Sequence, residues 1–367
     1  MTKIVDPKKD PRRCCRNVAD WPERDRRAWE QAFVPGDVLD PGGPGAHWSP
    51  YTKDKVAKGY GRFLTWLDLS GLLTPDTLPE DRVTPEHVAA YVEHLQGLNA
   101  SQTVLTRIEE LTLAMQVMAP RYDRSYLRGV QSVLRAQVTP ARDVRARIRH
   151  AGELCELGFT LMQAARDSTS TPLRKAIDYR DGLMILFLIH LPLRRKNFTA
   201  IRVNHHFVEH GDELWIDIPG EDIGTSTKNN KPIERPLSGE LRDCLEEYLA
   251  VHRPHLLNQR GRWYKHPGDA LWVSKDGSPL TEIAFYFRIK NRTEAAFGRL
   301  VNPHLFRHSA ATTIAIERPE QVQMASAVLD HKLPPTTERY YNLAQTIDAA
   351  NRYHEELAKL RRRLRRK

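Results

Sequence analysis

The sequence predicts a mainly α-helical chain with a small β-sheet or hairpins: an N-terminal helical bundle followed by a mixed α+β domain. Three observations carry this expectation. Apolar residues recur at helical spacing between residues 46 and 140, behind proline-marked helix starts. The stretch ELWIDI (213–218) alternates as a strand does. A length of 367 residues exceeds what one hydrophobic core usually serves, so at least two domains are needed.

In chain order, residues 1–45 read as an irregular extension or arm that ends in the Pro/Gly-dense DPGGPGAHWSP. Ser49-Pro50 fits an N-cap with proline at the first helical position. Tyr51, Val56, Tyr60, Phe63, Leu64 and Leu67 then recur at helical spacing. Thr84-Pro85-Glu86 repeats the start signal ahead of Val88, Tyr91, Val92 and Leu95. Amphipathic stretches at 104–118 and 125–138 complete a bundle of four or five helices over 46–140. Residues 141–150 form a basic linker of net charge +3, carrying Arg142, Arg145, Arg147 and Arg149. A second domain is expected over 151–350. Within it, 179–190 reads as a buried helix and 213–218 as a strand. TKNNKPIERPL reads as a hairpin turning at Asn229-Asn230, and LWVSKDGSPLT (271–281) as a strand and turn bending at Asp276-Gly277. Residues 351–367 read as a C-terminal helix running into the basic tail KLRRRLRRK.

Composition narrows the class. A hydrophobic fraction of 40% with 28% charged residues describes a soluble globular protein able to bury a core. Four cysteines without a CxxC pair, two of them the adjacent Cys14 and Cys15, make no disulfide framework, so a reducing compartment is expected. The start MTKIVDPKKDPRR has no apolar stretch, and the longest apolar run, 182–189, falls far short of the roughly 20 residues that span a membrane. Neither secretion nor a membrane partner is expected. The net charge of +10 sits at the tips: the tail KLRRRLRRK carries seven positive charges, and residues 1–15 carry five against two negative. Residues 16–358 are left with no net charge. Such ends either keep the chain soluble or bind nucleic-acid phosphate.

Four stretches carry chemistry. They are HLPLRRKNFTAIRV (190–203), the hairpin TKNNKPIERPL (227–237), NPHLFRHSAAT (302–312) and LDHKLPPTTERYYN (329–342). An isolated LRR or K-x-x-K means little. The H-x-x-R box followed 24 residues later by a histidine, then TTERY, is specific. In this order the four stretches resemble the motifs of the tyrosine recombinase, or phage integrase, family. The resemblance spans roughly residues 180–345. Over 46–140 it is architectural, matching the helical core-binding domain this family carries ahead of its catalytic one. It implies six catalytic residues: Arg194, Lys228, His304, Arg307, His331 and Tyr340.

The resemblance further implies a DNA strand-transfer enzyme that works through a 3′-phosphotyrosyl intermediate, with no cofactor and no metal. Double-stranded DNA would be clamped between the two domains, with Arg142, Arg145, Arg147 and Arg149 near its backbone. The family acts as a homo-tetramer on paired sites, with accessory recombination proteins as further partners. The implied setting is the cytoplasm of a prokaryote, in association with the nucleoid. The outcome, whether integration, excision, inversion or transposition, is not encoded in these motifs.

The residue types suit that chemistry. A tyrosine phenol has a pKa near about 10, so on the order of one in a thousand is ionised at neutral pH. Attack on a phosphodiester therefore needs cations around the phosphate and an acceptor for the proton. Two guanidiniums grip non-bridging oxygens as bidentate forks, which a lysine point charge does less well. Histidines near their own pKa donate or accept, and a lysine can protonate the leaving 5′-oxygen. Nothing in this set requires a metal.

Duller readings stand beside these. Arg195 could grip in place of Arg194, although the register against Leu193 and Arg202 favours Arg194; Tyr341 takes over from Tyr340 if the register slips by one. Lys228 and Lys231 are what any exposed hairpin displays, His331 fits a helix C-cap and Tyr340 a core aromatic. His304 and His308 have zinc spacing, but Leu305 stands where H-E-x-x-H has its glutamate. Pro192 and Asp330 replace family glycines, and Asn197 stands where an acidic residue commonly supports the first arginine; these changes bear on the geometry around the catalytic groups. The rival functions are a type IB topoisomerase, a DNA-binding accessory protein on an inactive recombinase scaffold, and a basic-tailed helical scaffold without DNA affinity.

Overall fold

Hydroxyl caps set several helix starts. In the computed structural model, Ser49 Oγ accepts from the Thr52 N–H, Thr84 Oγ1 from His87 N–H and Thr171 Oγ1 from Arg174 N–H, each ahead of a proline at the start of its helix. The structure describes residues 10–139, 147–222, 232–237, 239–262 and 264–317, the side chains of 315 and 316 excepted. It divides into two compact units, Met1–Asp143 and Val144–Lys367.

The first unit contains α1 (Glu23–Gln31), α2 (Pro50–Leu69), the single turn α3 (Pro79–Arg82), α4 (Pro85–Gln96), α5 (Ser101–Met118) and α6 (Ser125–Ala136). The stripe Val56, Tyr60, Phe63, Leu64 and Leu67 of α2 is fully buried. Tyr51, read into the same stripe, is instead exposed on the first turn. A larger correction concerns the segment before it. Residues 10–45 are not irregular throughout: they carry two short 3₁₀ turns and α1. Trp21 and Trp29 are buried and meet edge-on, and Trp21 also meets Tyr60. The helix ERDRRAWEQ has only Ala28 and Trp29 as apolar residues, too few for a periodic stripe.

What fastens α1 to the bundle is a buried ion pair. Asp25 and Arg82 are 0% and 2% exposed. Arg82 Nε donates to both Asp25 oxygens at 3.2 and 3.1 Å, and the Tyr60 hydroxyl donates to Oδ1. Burial pushes the Asp25 carboxyl up, and the Tyr60 and Arg82 contacts oppose that. Removing one partner of such a pair strands the other charge in a medium that solvates it poorly. Asp25→Ala is therefore expected to lower the unfolding free energy by about 3–5 kcal/mol, read by denaturant titration. The double change Asp25→Leu with Arg82→Met should recover most of that loss. A single-variant loss under about 1 kcal/mol would mean that α1 is held by its tryptophans alone.

The second unit is built around α8 (Pro172–His190), which is buried from Ala176 to Ile189 apart from the partly exposed Asp178 and so packs on nearly all sides. It lies close against α7 (Ala151–Asp167), and the contact needs glycine. A Cβ on Gly182 would stand 2.8 Å from the Gly158 carbonyl oxygen. Next come α9 (Arg195–Thr199) and α10 (Val203–His206), then an antiparallel sheet of β1 (Phe207–His210), β2 (Glu213–Ile218) and β3 (Ile233–Pro236) in that order. The register pairs Phe207 with Ile216 and Ile218 with Ile233, placing Ile216, Ile218 and Ile233 in the core.

The proposed turn at Asn229-Asn230 lies outside the described residues, as do residues 351–367. After β3 come α11 (Gly239–Glu247), a π-turn at Tyr248–His252, α12 (Arg253–Leu257), α13 (Glu282–Phe297) and α14 (Pro303–Glu317). The strand expected in 271–281 is not a sheet member. It makes one isolated bridge, Val273 with Pro279, about a turn closed by the Gly277 N–H to the Ser274 carbonyl. Its apolar residues serve the core instead: Trp272 stacks on Phe198 at 5.1 Å. Among the described residues, no helix is long and apolar enough to cross a membrane.

Candidate active site

Four segments of the second unit line two adjoining clefts. The chain leaves α8 through Leu191, Pro192 and Leu193, and Arg194 takes the N-cap position of α9. β3 brings Ile233, Arg235 and Pro236 to the first cleft. α14 begins at Pro303, which puts His304 and Arg307 one turn apart on neighbouring positions of one face. Arg194 and Arg307 line both clefts, and His304 lines the second with Glu282, Tyr286 and Asn302.

Arg307 is buried, 8% exposed, and its Nη1 donates to the Pro192 carbonyl. That bond uses the backbone of residue 192, so proline in place of glycine does not remove it. Arg194 is half-buried, and its side chain makes no hydrogen bond or ion pair among the described residues. Its neighbour Arg195 is exposed and donates through Nε to Glu282 Oε2 at 2.9 Å. The two adjacent arginines are therefore used differently: Arg195, which also lines the second cleft, is paired with Glu282, and Arg194 lines both clefts with its side-chain donors available. Asn197 is 1% exposed on the first cleft, with neither Oδ1 nor Nδ2 hydrogen-bonded among the described residues. It does not support Arg194 as an acidic residue would, and a stranded amide costs on the order of 1–3 kcal/mol.

His304 is drawn below the ordinary imidazole value by desolvation and by the guanidinium charges of Arg307 and Arg194. More than a third of the residue is open to solvent, so the charges are the firmer cause. The ring is thus neutral at neutral pH and able to accept a proton. Because the unfolded chain binds more protons just below the reference pKa of about 6.5, this histidine costs stability as pH falls through that region. We expect the His304 ring to titrate below free histidine by NMR, and Arg194→Gln to raise its midpoint. An unmoved midpoint would show that the Arg194 charge does not reach the ring.

The remaining expected residues are placed as follows. Arg147 donates from Nε and Nη2 to the Leu300 carbonyl at 3.3 Å. Arg149 donates to the Phe297 carbonyl at 3.4 Å and lies 5.0 Å from the centre of the Phe297 ring. Arg142, Arg145, Lys228, His331 and Tyr340 lie outside the described residues, as do Asp330 and Tyr341. Arg235 was not singled out in the sequence, although it stands within the hairpin motif; its place on the first cleft makes it a third guanidinium at the site. Glu282 and Tyr286, on α13, had no motif to mark them.

One group among the described residues has metal-ligand spacing: His205, His206 and Asp222. The Arg202 backbone N–H donates to His206 Nδ1, so Nε2 carries the proton and donates to Asp222 Oδ2 at 3.1 Å. Arg202 Nη2 meets the same oxygen at 2.6 Å. His206 offers no lone pair to an ion, and the cluster is a hydrogen-bonded clamp at the exit of β2. These bonds, His206 foremost, hold the Asp222 carboxyl below its usual range.

An uncharged histidine beside several arginines in a shallow cleft is a place for an oxyanion such as a phosphodiester. The phage integrase family matches residues 159–346, just over half of the chain. The chain belongs to that family. It is 30% identical to a tyrosine recombinase XerD of Oceanobacillus iheyensis over 130 residues, 35% of this chain and 42% of that one. It is 28% identical to a tyrosine recombinase XerC of Herpetosiphon aurantiacus over 177 residues, 48% of this chain and 51% of that one. The match thus spans about half the length of these curated relatives. A longer match, 24% over 287 residues, reaches a XerC recombinase of Ralstonia nicotianae and covers 77% of this chain and 82% of that one. The fold resembles the XerH site-specific recombinase in its post-cleavage complex with a palindromic difH substrate, with a TM-score of 0.53 at 15% identity, covering 83% of this chain and 80% of that one.

Proposed function

We propose that this protein is a site-specific DNA recombinase that cuts and rejoins strands through a covalent 3′-phosphotyrosyl intermediate. The observation that carries the reading is the meeting of Arg194, Arg307 and His304 on adjoining clefts, although they come from two separate segments of the chain. In this reading the two arginines hold the non-bridging oxygens of the scissile phosphate, with His331 as a further donor. His304, neutral for the reason given above, takes or returns the proton. The Tyr340 oxygen attacks phosphorus, the 5′-oxygen leaves with a proton from Lys228, and the 5′-hydroxyl of a partner strand later reverses the step. The phosphodiester energy is conserved in the phosphotyrosine, so the chemistry asks for neither ATP nor metal.

Double-stranded DNA is the proposed substrate, bound by a homo-tetramer on paired sites. The XerC and XerD relatives and the XerH–difH complex recommend the DNA substrate; the tetramer is what the family resemblance implies. Arg142, Arg145, Arg147 and Arg149 are proposed to lie near the DNA backbone, for which Arg147 and Arg149 would pivot from the carbonyls they now meet. The test is a nicked suicide duplex, which loses a short strand on cleavage and traps the intermediate. A protein–DNA adduct that survives denaturation is expected. Binding without any adduct would favour the accessory-protein reading, and efficient supercoil relaxation without a partner site would favour a topoisomerase.

A further inference from the structure

The first unit holds a second cationic pocket, far from any motif in the sequence. It is lined by Arg12 and Arg13 from the 3₁₀ turn, Arg62 of α2, Tyr91 and His94 of α4, and Arg107 of α5. Its construction depends on two close approaches. A Cβ on Gly59 would stand 2.4 Å from the Glu110 Cβ, and one on Gly61 would stand 2.3 Å from the Arg16 carbonyl oxygen. These glycines let α5 and the N-terminal segment both lie against α2, so that three parts of the chain supply arginines to one place.

The charges there are not balanced. Arg12 pairs with Asp10 at 2.9 Å, with Arg13 3.9 Å from the same carboxylate, and Arg107 pairs with the buried Glu110 at 2.6 Å. Arg13 otherwise donates to neutral acceptors, the Leu98 carbonyl and Asn99 Oδ1. The Arg62 side chain makes no hydrogen bond or ion pair among the described residues. Four guanidiniums thus face two carboxylates. Independently, Tyr91 is 1% exposed, and its hydroxyl has no hydrogen-bond partner among the described residues. Burial pushes that phenol up, so it keeps its proton, while Arg107 and Arg62 are the cations that act on it most. Desolvation and the Arg12 charge lower His94, leaving that ring uncharged. Here a buried donor lacks an acceptor and an arginine lacks an anion.

We propose that this pocket is an oxyanion site that takes one phosphate group, held by Arg62 and Arg107 with the Tyr91 hydroxyl as the inner donor. The cavity is about 170 Å³. Pockets for drug-sized ligands run from about 300 Å³ upward, so a nucleotide is too large and a single phosphate is in scale. The phosphate is either free in solution or part of a DNA backbone, and the chemistry of the grip is the same.

Two measurements on the full chain separate the sources, and neither depends on cleavage. In the first, thermal unfolding is followed in inorganic phosphate against chloride at matched ionic strength. The wild-type midpoint is expected to rise. Arg62→Gln and Tyr91→Phe remove groups with no partner among the described residues, so both should unfold near the wild-type midpoint in chloride. Both should bind phosphate about tenfold or more weakly. In the second, binding to a duplex of arbitrary sequence is measured against salt. If a DNA phosphate occupies the pocket, Arg62→Gln makes the slope shallower by about one unit. A lost phosphate shift with an unchanged slope assigns the pocket to a free phosphate, and a shallower slope assigns it to the DNA backbone. If neither the phosphate shift nor the slope differs between wild type and both variants, the site does not exist.

Discussion

Replacing Tyr340 with phenylalanine is expected to abolish the covalent protein–DNA adduct on a nicked suicide substrate, with no residual product. The loss should be total because the oxygen removed is the one that forms the bond to phosphorus, and no neighbouring donor can substitute for a missing nucleophile. Phenylalanine keeps the ring, so folding and DNA binding should stay near wild type and serve as the control. The sequence offers Tyr341 as the rival. Tyr341→Phe should leave the adduct in place. If the adduct persists in Tyr340→Phe and vanishes in Tyr341→Phe, the register is one residue off. If it persists in both, the nucleophile is neither of these tyrosines.

Legibility differed between the two units for physical reasons. Helices with a hydroxyl cap, a following proline and an apolar stripe could be read directly, as α2 and α4 show. Helix α1 could not, because it is anchored by one tryptophan and by the Asp25–Arg82 pair, whose partners lie far apart in sequence and create no period. The residues 271–281 have the alternation and turn of a strand, yet no neighbour offers them a ladder, and their large side chains fill the core under α8. Strand β2 was legible because both its alternation and its partners are real.

The candidate site divides in the same way. Arg194, His304 and Arg307 were found from motif order, and the structure brings them to adjoining clefts. The choice between Arg194 and Arg195 rested on register alone. The structure adds a difference between them: Arg195 is paired with Glu282 on the second cleft, whereas Arg194 lines both clefts without such a pair among the described residues. Glu282 lies on α13, and no local pattern around Arg195 announces it. Asn197 was flagged as a departure from the family, and its unbonded amide on the first cleft is the structural counterpart of that departure.

Arg307→Lys is expected to reduce adduct formation by about 10²–10³-fold while leaving the fold intact. The argument separates charge from geometry. Lysine keeps the positive charge, so long-range attraction of DNA should change little. It has no planar fork, so it cannot both donate to the Pro192 carbonyl, as Arg307 Nη1 does, and present parallel donors to a phosphate. Arg194→Gln should cost a comparable factor, whereas Arg195→Gln loses only an exposed ion pair worth under about 1 kcal/mol and should stay within a few-fold of wild type. The informative comparison is between single-turnover cleavage and duplex binding. A loss in cleavage at unchanged affinity means that the arginine acts on the phosphate in the transition state. Equal losses in binding and cleavage would make Arg307 a docking residue. A fall in Arg195→Gln as deep as that in Arg194→Gln would undo the assignment of Arg194 and return the choice of arginine to the α9 N-terminus as a whole.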